Sequence, residues 1–212
     1  MMMELLIVFF GITIMYMAVT SRLEAYIKIL AVQGVILCLL ALCSIPASSW
    51  LILSFLVLET LGLKSIFLPW YLRKLVLENE IGRETEPYIP NFYSLLIVTL
   101  FMAFGFLLSY WAYKAVHAER LIHFAVSIAT VLTALFIIMT RKKLLTHIMG
   151  YILLENGIFL LSLSVAYEMP LVVNMGMALD VFMCVFLVGV FVKKIRDTFD
   201  KQEIDNLSDL KD

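Results

Sequence analysis

Seven long apolar runs, joined by connections that are mostly short, constrain this chain more than any other feature. A bilayer hydrocarbon core takes about 20 apolar residues per crossing helix. The runs extend from Glu4 to Thr20, Tyr26 to Ile45, Trp50 to Leu72, Phe92 to Tyr113, Leu121 to Thr140, Leu144 to Tyr167 and Leu171 to Val192. Hydrophobic residues make up 63% of the 212, charged residues 16%, and the mean hydropathy is +0.99. Soluble domains sit near half apolar and a quarter charged, and a soluble fold of this length has too little interior to hide so much apolar surface. The expected fold is therefore all-α, an integral membrane bundle of about seven transmembrane helices. The first run reads as a membrane span and not as a cleavable signal, because no basic stretch precedes it and no small-residue cleavage site follows.

Charge placement along the connections orients the bundle. The first carries Arg22 and Lys28, the third Arg73, Lys74 and Arg83, the fifth Arg141, Lys142 and Lys143, and the tail Lys193, Lys194, Arg196, Lys201 and Lys211. The fourth has Lys114 and Arg120, and the second and sixth have none. Thirteen cations thus fall on the odd connections and tail, and two on the even ones. By the positive-inside rule the N-terminus is outside and the C-terminus cytoplasmic, as expected for a multi-pass protein of the cell inner membrane. Residues 1–118 make an N-terminal four-helix segment, 119–199 a C-terminal three-helix segment and 200–212 a cytoplasmic tail. The connection from Arg73 to Asn91 is polar and acidic and reads as a solvated loop. Pro46 and Pro170 end the second and sixth runs, and Pro87 and Pro90 lead into the fourth.

Several function classes fall away. No basic face offers itself to nucleic acid, and no stretch outside the apolar runs is large enough for a soluble catalytic domain. Cys38, Cys43 and Cys184 lie in apolar stretches with no paired spacing, so they read as small hydrophobes and not as cluster or zinc ligands. His117, His123 and His147 lie near helix ends, and no axial pair for haem emerges. No cofactor or metal is expected. No nucleophile–base pair marks an active site of the chain's own.

The charges inside the apolar runs carry the functional signal. A Lys, Asp or Glu at mid-span costs about 2.5–3.5 kcal/mol on insertion scales, so such residues face water, a partner or a functional path. Glu155 is about 11 residues into the sixth run and Asp180 about nine into the seventh. With those helices as antiparallel neighbours, the carboxylates fall on the order of 10 Å apart, a gap one or two waters bridge. Lys64 lies in the third run, five residues before Pro69, which should kink the helix there. Glu59, five residues before Lys64, falls about 140° away around an α-helix, so the two are not expected to pair within one helix.

The stretch from Arg141 to Gly157, RKKLLTHIMGYILLENG, resembles the second-helix region of the short K-type subunit of respiratory complex I, and more closely hydrogenase-4 component E. Asp180, 13 residues before Lys193, stands where both families place an acid ahead of a basic helix end, and the tail from Ile204 to Lys211 is similar to their endings. Lys64 with Pro69 looks like component E, whose seven-helix length this chain shares. One departure separates it from the short subunit, which keeps its glutamate four residues before the asparagine. Here that position is Ile152, and the acid is Glu155, directly before Asn156. Component E has this arrangement. The resemblance implies a non-catalytic membrane-arm subunit of a complex I-related assembly of the formate hydrogenlyase type. Antiporter-like subunits would be its neighbours, and peripheral hydrogenase and iron–sulfur subunits its indirect partners. Glu155, Asp180, Lys64 and Glu59 would then belong to a lateral proton path. The alternatives from other classes are a structural scaffold docking antiporter-like subunits to the redox module, and a subunit of a multisubunit cation/proton antiporter.

Overall fold

The computed structural model describes residues 2–44, 54, 57–78, 88–112 and 120–165, and gives only the backbone of Glu59, Leu63, Leu75, Glu78 and Leu144. The chain divides into two compact units, Met1–Met177 and Ala178–Asp212, and every described residue lies in the first. The seventh apolar run with Asp180, together with His117, Cys184 and the tail, lies outside the described residues.

Among the described residues the structure holds six α-helices and one π-helical segment. We label them α1 (Met2–Val19), α2 (Leu23–Ser44), α3 (Leu68–Glu78), α4 (Asn91–Trp111), α5 (Leu121–Thr140) and α6 (Leu144–Val165), with the π segment Leu58–Phe67 running directly into α3. Five of them (α1, α2, α4, α5 and α6) are long and apolar enough to cross a membrane. These match five of the seven expected spans to within a few residues, α5 at both ends. The third expected span is different. Its helix does not stop at Leu72 but continues to Glu78, and the stretch Leu58–Phe67 before it is π-helical. Pro69 is the second residue of α3, which continues directly from the π segment, so its missing N–H takes one hydrogen bond out of the helix where the π segment ends. The irregularity expected at the proline is thus a change of helix type just ahead of it.

Helices that are apolar on every side suit lipid on one face and helix on the other. On α1, Ile7, Phe10, Ile14 and Met17 are buried, while Leu5, Val8, Phe9, Ile12 and Tyr16 are exposed. The buried side joins Leu37 and Leu40 of α2, Val98 of α4, Val126 of α5 and Leu160 of α6 in one core. α4 exposes Phe92 and Tyr93 at one end and Tyr110 and Trp111 at the other. Tyr93 and Trp111 are about 27 Å apart along the axis, close to the thickness of a hydrocarbon core with aromatic belts at its two surfaces.

Two sets of contacts fix which helix ends share a side. Tyr88 N–H donates to Thr140 O at 2.9 Å, Asn91 Nδ2 to Ser21 Oγ at 2.9 Å, and Arg141 to Ala18 O at 3.1 Å. These gather the ends of α1 and α5 and the start of α4 at one side, the side of the cation-rich connections. At the other side Ser109 Oγ donates to Leu121 O at 2.7 Å, and Arg120 donates to Leu163 O. The described helices therefore alternate in direction as the charge count requires.

Arginines at the two ends of α5 bond carbonyls in the last turns of other helices, where intrahelical donors run out. Arg141 serves α1 and is only 2% exposed, with its guanidinium 5.9 Å from the Tyr26 ring centroid. The sequence marks Arg141 as a loop cation. The structure makes it a buried clasp between the end of α5 and the end of α1.

Candidate functional site

The bundle interior is not uniformly apolar. Gln33, Thr60, Lys64, Glu155 and Asn156 are all buried, and they come from α2, the π segment and α6. Their positions follow from how closely these three elements pack.

Gly34 sits against Ser65. A Cβ there would lie 3.1 Å from the Ser65 backbone nitrogen, so the absence of a side chain brings the π segment onto α2. Ser65 Oγ donates to Ala31 O at 3.1 Å and ties the two backbones together. The residue before it, Lys64, is thereby carried into the interior and is 3% exposed. Its ammonium lies 5.3 Å from the Phe159 ring centroid on α6, within the range of a cation–π contact. Glu155, also 3% exposed, is four residues before Phe159. That is one turn and about 6 Å of rise on one helix face. The structure thus brings the lysine and the glutamate, 91 positions apart in sequence, to neighbouring turns of the bundle.

Beside Glu155, a chain of hydrogen bonds crosses three helices. Asn156 Nδ2 donates to Gln33 Oε1 at 3.2 Å, Gln33 Nε2 donates to Thr13 Oγ1 at 2.9 Å, and Thr13 Oγ1 donates to Phe10 O at 2.6 Å. Every donor points the same way, from α6 through α2 to α1. Buried polar groups need such partners, because each unsatisfied one costs about 1–3 kcal/mol. Asn156 Oδ1 is buried with no hydrogen-bond partner among the described residues, which leaves an acceptor for a proton-bearing group beside the carboxylate.

α6 is held for this role by glycine. A Cβ on Gly157 would lie 3.0–3.1 Å from Val131 and Thr130, and one on Gly150 would lie 2.8 Å from Ile138 Cγ1. α5 and α6 accordingly share the most extensive helix contact among the described residues. Thr130 and Thr133 of α5 face this packing with their hydroxyls returned to Val126 O and Ala129 O, so they add no unmet polar demand.

The four residues expected from the sequence fare differently. Lys64 and Glu155 are buried and brought to neighbouring turns of the bundle. Asp180 lies outside the described residues. Glu59 is placed by backbone alone, but its placement overturns one expectation. A π-helix closes i→i+5 hydrogen bonds, so residues five apart lie nearly one above the other. The 140° separation of Glu59 from Lys64 assumed α geometry, and in the π segment the two occupy positions one turn apart on one side. Sequence reading missed Gln33 and Thr13. The signal was an amide in the middle of the second apolar run, overlooked because only charges were sought.

Comparison with known proteins gives partial matches. The chain is 28% identical over 191 residues to uncharacterized protein Rv0085 of Mycobacterium tuberculosis, covering 90% of this chain and 87% of that one. It is 32% identical over 87 residues to hydrogenase-4 component E of Escherichia coli, covering 41% of this chain and 40% of component E, and equally to component E of Shigella flexneri. No protein-family model and no solved structure matches. The chain is thus an all-helical membrane-type protein similar over part of its length to a hydrogenase subunit.

Proposed function

We propose that this chain is a non-catalytic membrane-arm subunit of a complex I-related assembly of the group 4 hydrogenase or formate hydrogenlyase type. Lys64 and Glu155 serve there as protonatable groups in a lateral path, coupled to redox chemistry in other subunits. One observation carries the reading: two ionisable side chains, each 3% exposed, come to neighbouring turns inside a membrane bundle, the Lys64 ammonium lying 5.3 Å from the Phe159 ring one turn beyond Glu155. Burying them is costly, and a lipid-facing or purely packing role gives no return for it. The partial similarity to hydrogenase-4 component E supports the choice of assembly.

In this reading a proton passes between Glu155 and its polar surroundings, and the charge on Lys64 sets how readily Glu155 gives it up. The Asn156–Gln33–Thr13 chain holds the carboxylate's helix in register against α2 and α1. Asp180 continues the path in the seventh apolar run, and Glu59 flanks Lys64. The cation-rich end of the bundle faces the cytoplasm of the inner membrane. Antiporter-like subunits are the lateral neighbours.

The test uses the intact complex in proteoliposomes, with redox turnover and proton uptake followed together. Glu155→Gln, Asp180→Asn and Lys64→Met should each leave the complex assembled and its redox turnover measurable, while proton translocation falls to background. Translocation unchanged in Glu155→Gln would leave only a scaffold role. Purification without any hydrogenase or iron–sulfur subunit would point instead to a cation/proton antiporter.

A further inference from the structure

At the cation-rich end of the bundle, a cleft of about 260 Å³ opens between the first turns of α2 and the start of α3. Ile27, Ala31 and Pro69 make its apolar floor, and Lys28, Arg73 and Trp70 stand around it with Glu24. A second cleft, about 330 Å³, lies on the other side of Lys28 between α1 and α2 and adds Arg22 and Tyr16. Lys28 thus forms a wall common to both. The clefts bring three cations together against one carboxylate. Arg22, Lys28 and Arg73 are exposed, and their side chains make no hydrogen bond or ion pair among the described residues.

Below Lys28 the same face of α2 continues as Val32, Val35 and Leu39, at four, seven and eleven residues' spacing, and all three are exposed. Lys28 to Leu39 spans about 16 Å, the depth of one leaflet of a hydrocarbon core about 30 Å thick. Trp70, exposed beside the cleft with Lys74 Nζ 5.8 Å from its ring centroid, is an aromatic of the kind that sits at headgroup level. A cationic cluster above an apolar stripe one leaflet long matches an anionic phospholipid in both of its parts. The phosphodiester meets the cations and an acyl chain lies along α2.

We propose that these paired clefts bind an anionic phospholipid, with Lys28 and Arg73 holding its phosphate and Val32, Val35 and Leu39 its chain. Basic pockets between helices at the cytoplasmic side of a membrane suit such headgroups. The site is separate from the buried Lys64–Glu155 pair and stands whether or not that pair conducts protons.

The full chain with Trp70 as its single tryptophan (Trp50→Phe, Trp111→Phe) tests this in phosphatidylcholine nanodiscs. A minor fraction of the lipid is replaced by brominated phosphatidylglycerol, or by brominated phosphatidylcholine as the reference. Phosphatidylglycerol should quench Trp70 more strongly than the reference. Lys28→Gln and Arg73→Gln should each weaken that preference about fivefold, and the double variant should abolish it with reference quenching unchanged. Lys28→Arg should keep it, as should Lys142→Gln, which removes a cation at the same end but outside the clefts. Equal quenching by the two lipids overturns the proposal, as does a preference that survives in the double variant. So does a preference that Lys142→Gln lowers as much, which means general surface charge. A preference erased by inorganic phosphate means a free-anion site and overturns it as well.

Discussion

The α4–α5–α6 side of the bundle and the α2–π–α3 side solve the same problem in different ways. The first is regular. Its helices are continuous over 20–22 residues and approach closely through small residues. The tightest point is Gly105 on α4, where a Cβ would lie 2.3 Å from Ala125 O. Phe101 and Phe136 meet edge to face across the same pair of helices, ring centroids 6.1 Å apart. The second side is irregular. A ten-residue π segment turns into an α-helix at Leu68, and a Cβ on Gly62 within it would meet nothing nearer among the described residues than Leu58 Cδ1 at 3.8 Å. The carboxylate stands on the regular side and the ammonium on the irregular one. Interiors packed without slack hold one arrangement, whereas π-helical turns are uncommon and recur at functional sites.

Glycine and polar substitutions on the two sides break or sharpen that contrast. The largest effect is expected from Gly105→Val. The new side chain meets a backbone carbonyl that has no way to move aside, and the fold should lose about 3 kcal/mol or more. Heating in detergent with a thiol-reactive dye for buried Cys38 reads this as an early transition, and a wild-type transition would show that α4–α5 is not rigid. Gln33→Leu comes next, at about 2 kcal/mol, since it leaves Thr13 and Asn156 without their shared partner. Unfolding by mixed-micelle titration measures it, and a loss well under half of that would mean the chain of hydrogen bonds does not join the two sides. Gly34→Ala should cost about 1 kcal/mol by pressing on the Ser65 backbone at 3.1 Å. Its effect should be larger on proton translocation than on stability, because the displaced segment carries Lys64. Gly62→Ala is the smallest and has the opposite sign. A Cβ there would meet Leu58 Cδ1 at ordinary contact distance, so the chain should gain about 0.5 kcal/mol from reduced freedom of the unfolded segment. A loss there comparable to that at Gly105 would erase the distinction.

Legibility in the sequence follows the same line. The regular side could be read almost residue by residue: Leu121–Thr140 is bounded by Arg120 and Arg141 and apolar between them, and length alone defines such a helix in a bilayer. The irregular side could not. Pro69 announced a disturbance, but propensity rules place a kink after a proline's missing bond and do not predict a π segment before it. Glu155 and Lys64 were found because a charge in an apolar run stands out. Gln33 is just as buried but has no charge, and Arg141 was hidden by its position in a basic connection.

The sequence by itself determined that this is a helical membrane-type chain with buried ionisable groups. Hydrocarbon leaves the backbone no hydrogen-bond partner but its own, and a continuous apolar run of about 20 residues satisfies that as a helix. It also determined the alternation of the helices, since cations collect on one side. Only the tertiary structure decided which buried groups meet. Lys64 and Glu155 are joined by no periodicity. They reach neighbouring turns because Gly34 admits a π segment, and because Gly150 and Gly157 seat α6 on α5. Close approach between helices depends on side chains that are missing, on elements far apart in the chain, and one-dimensional patterns carry no record of which surfaces face each other.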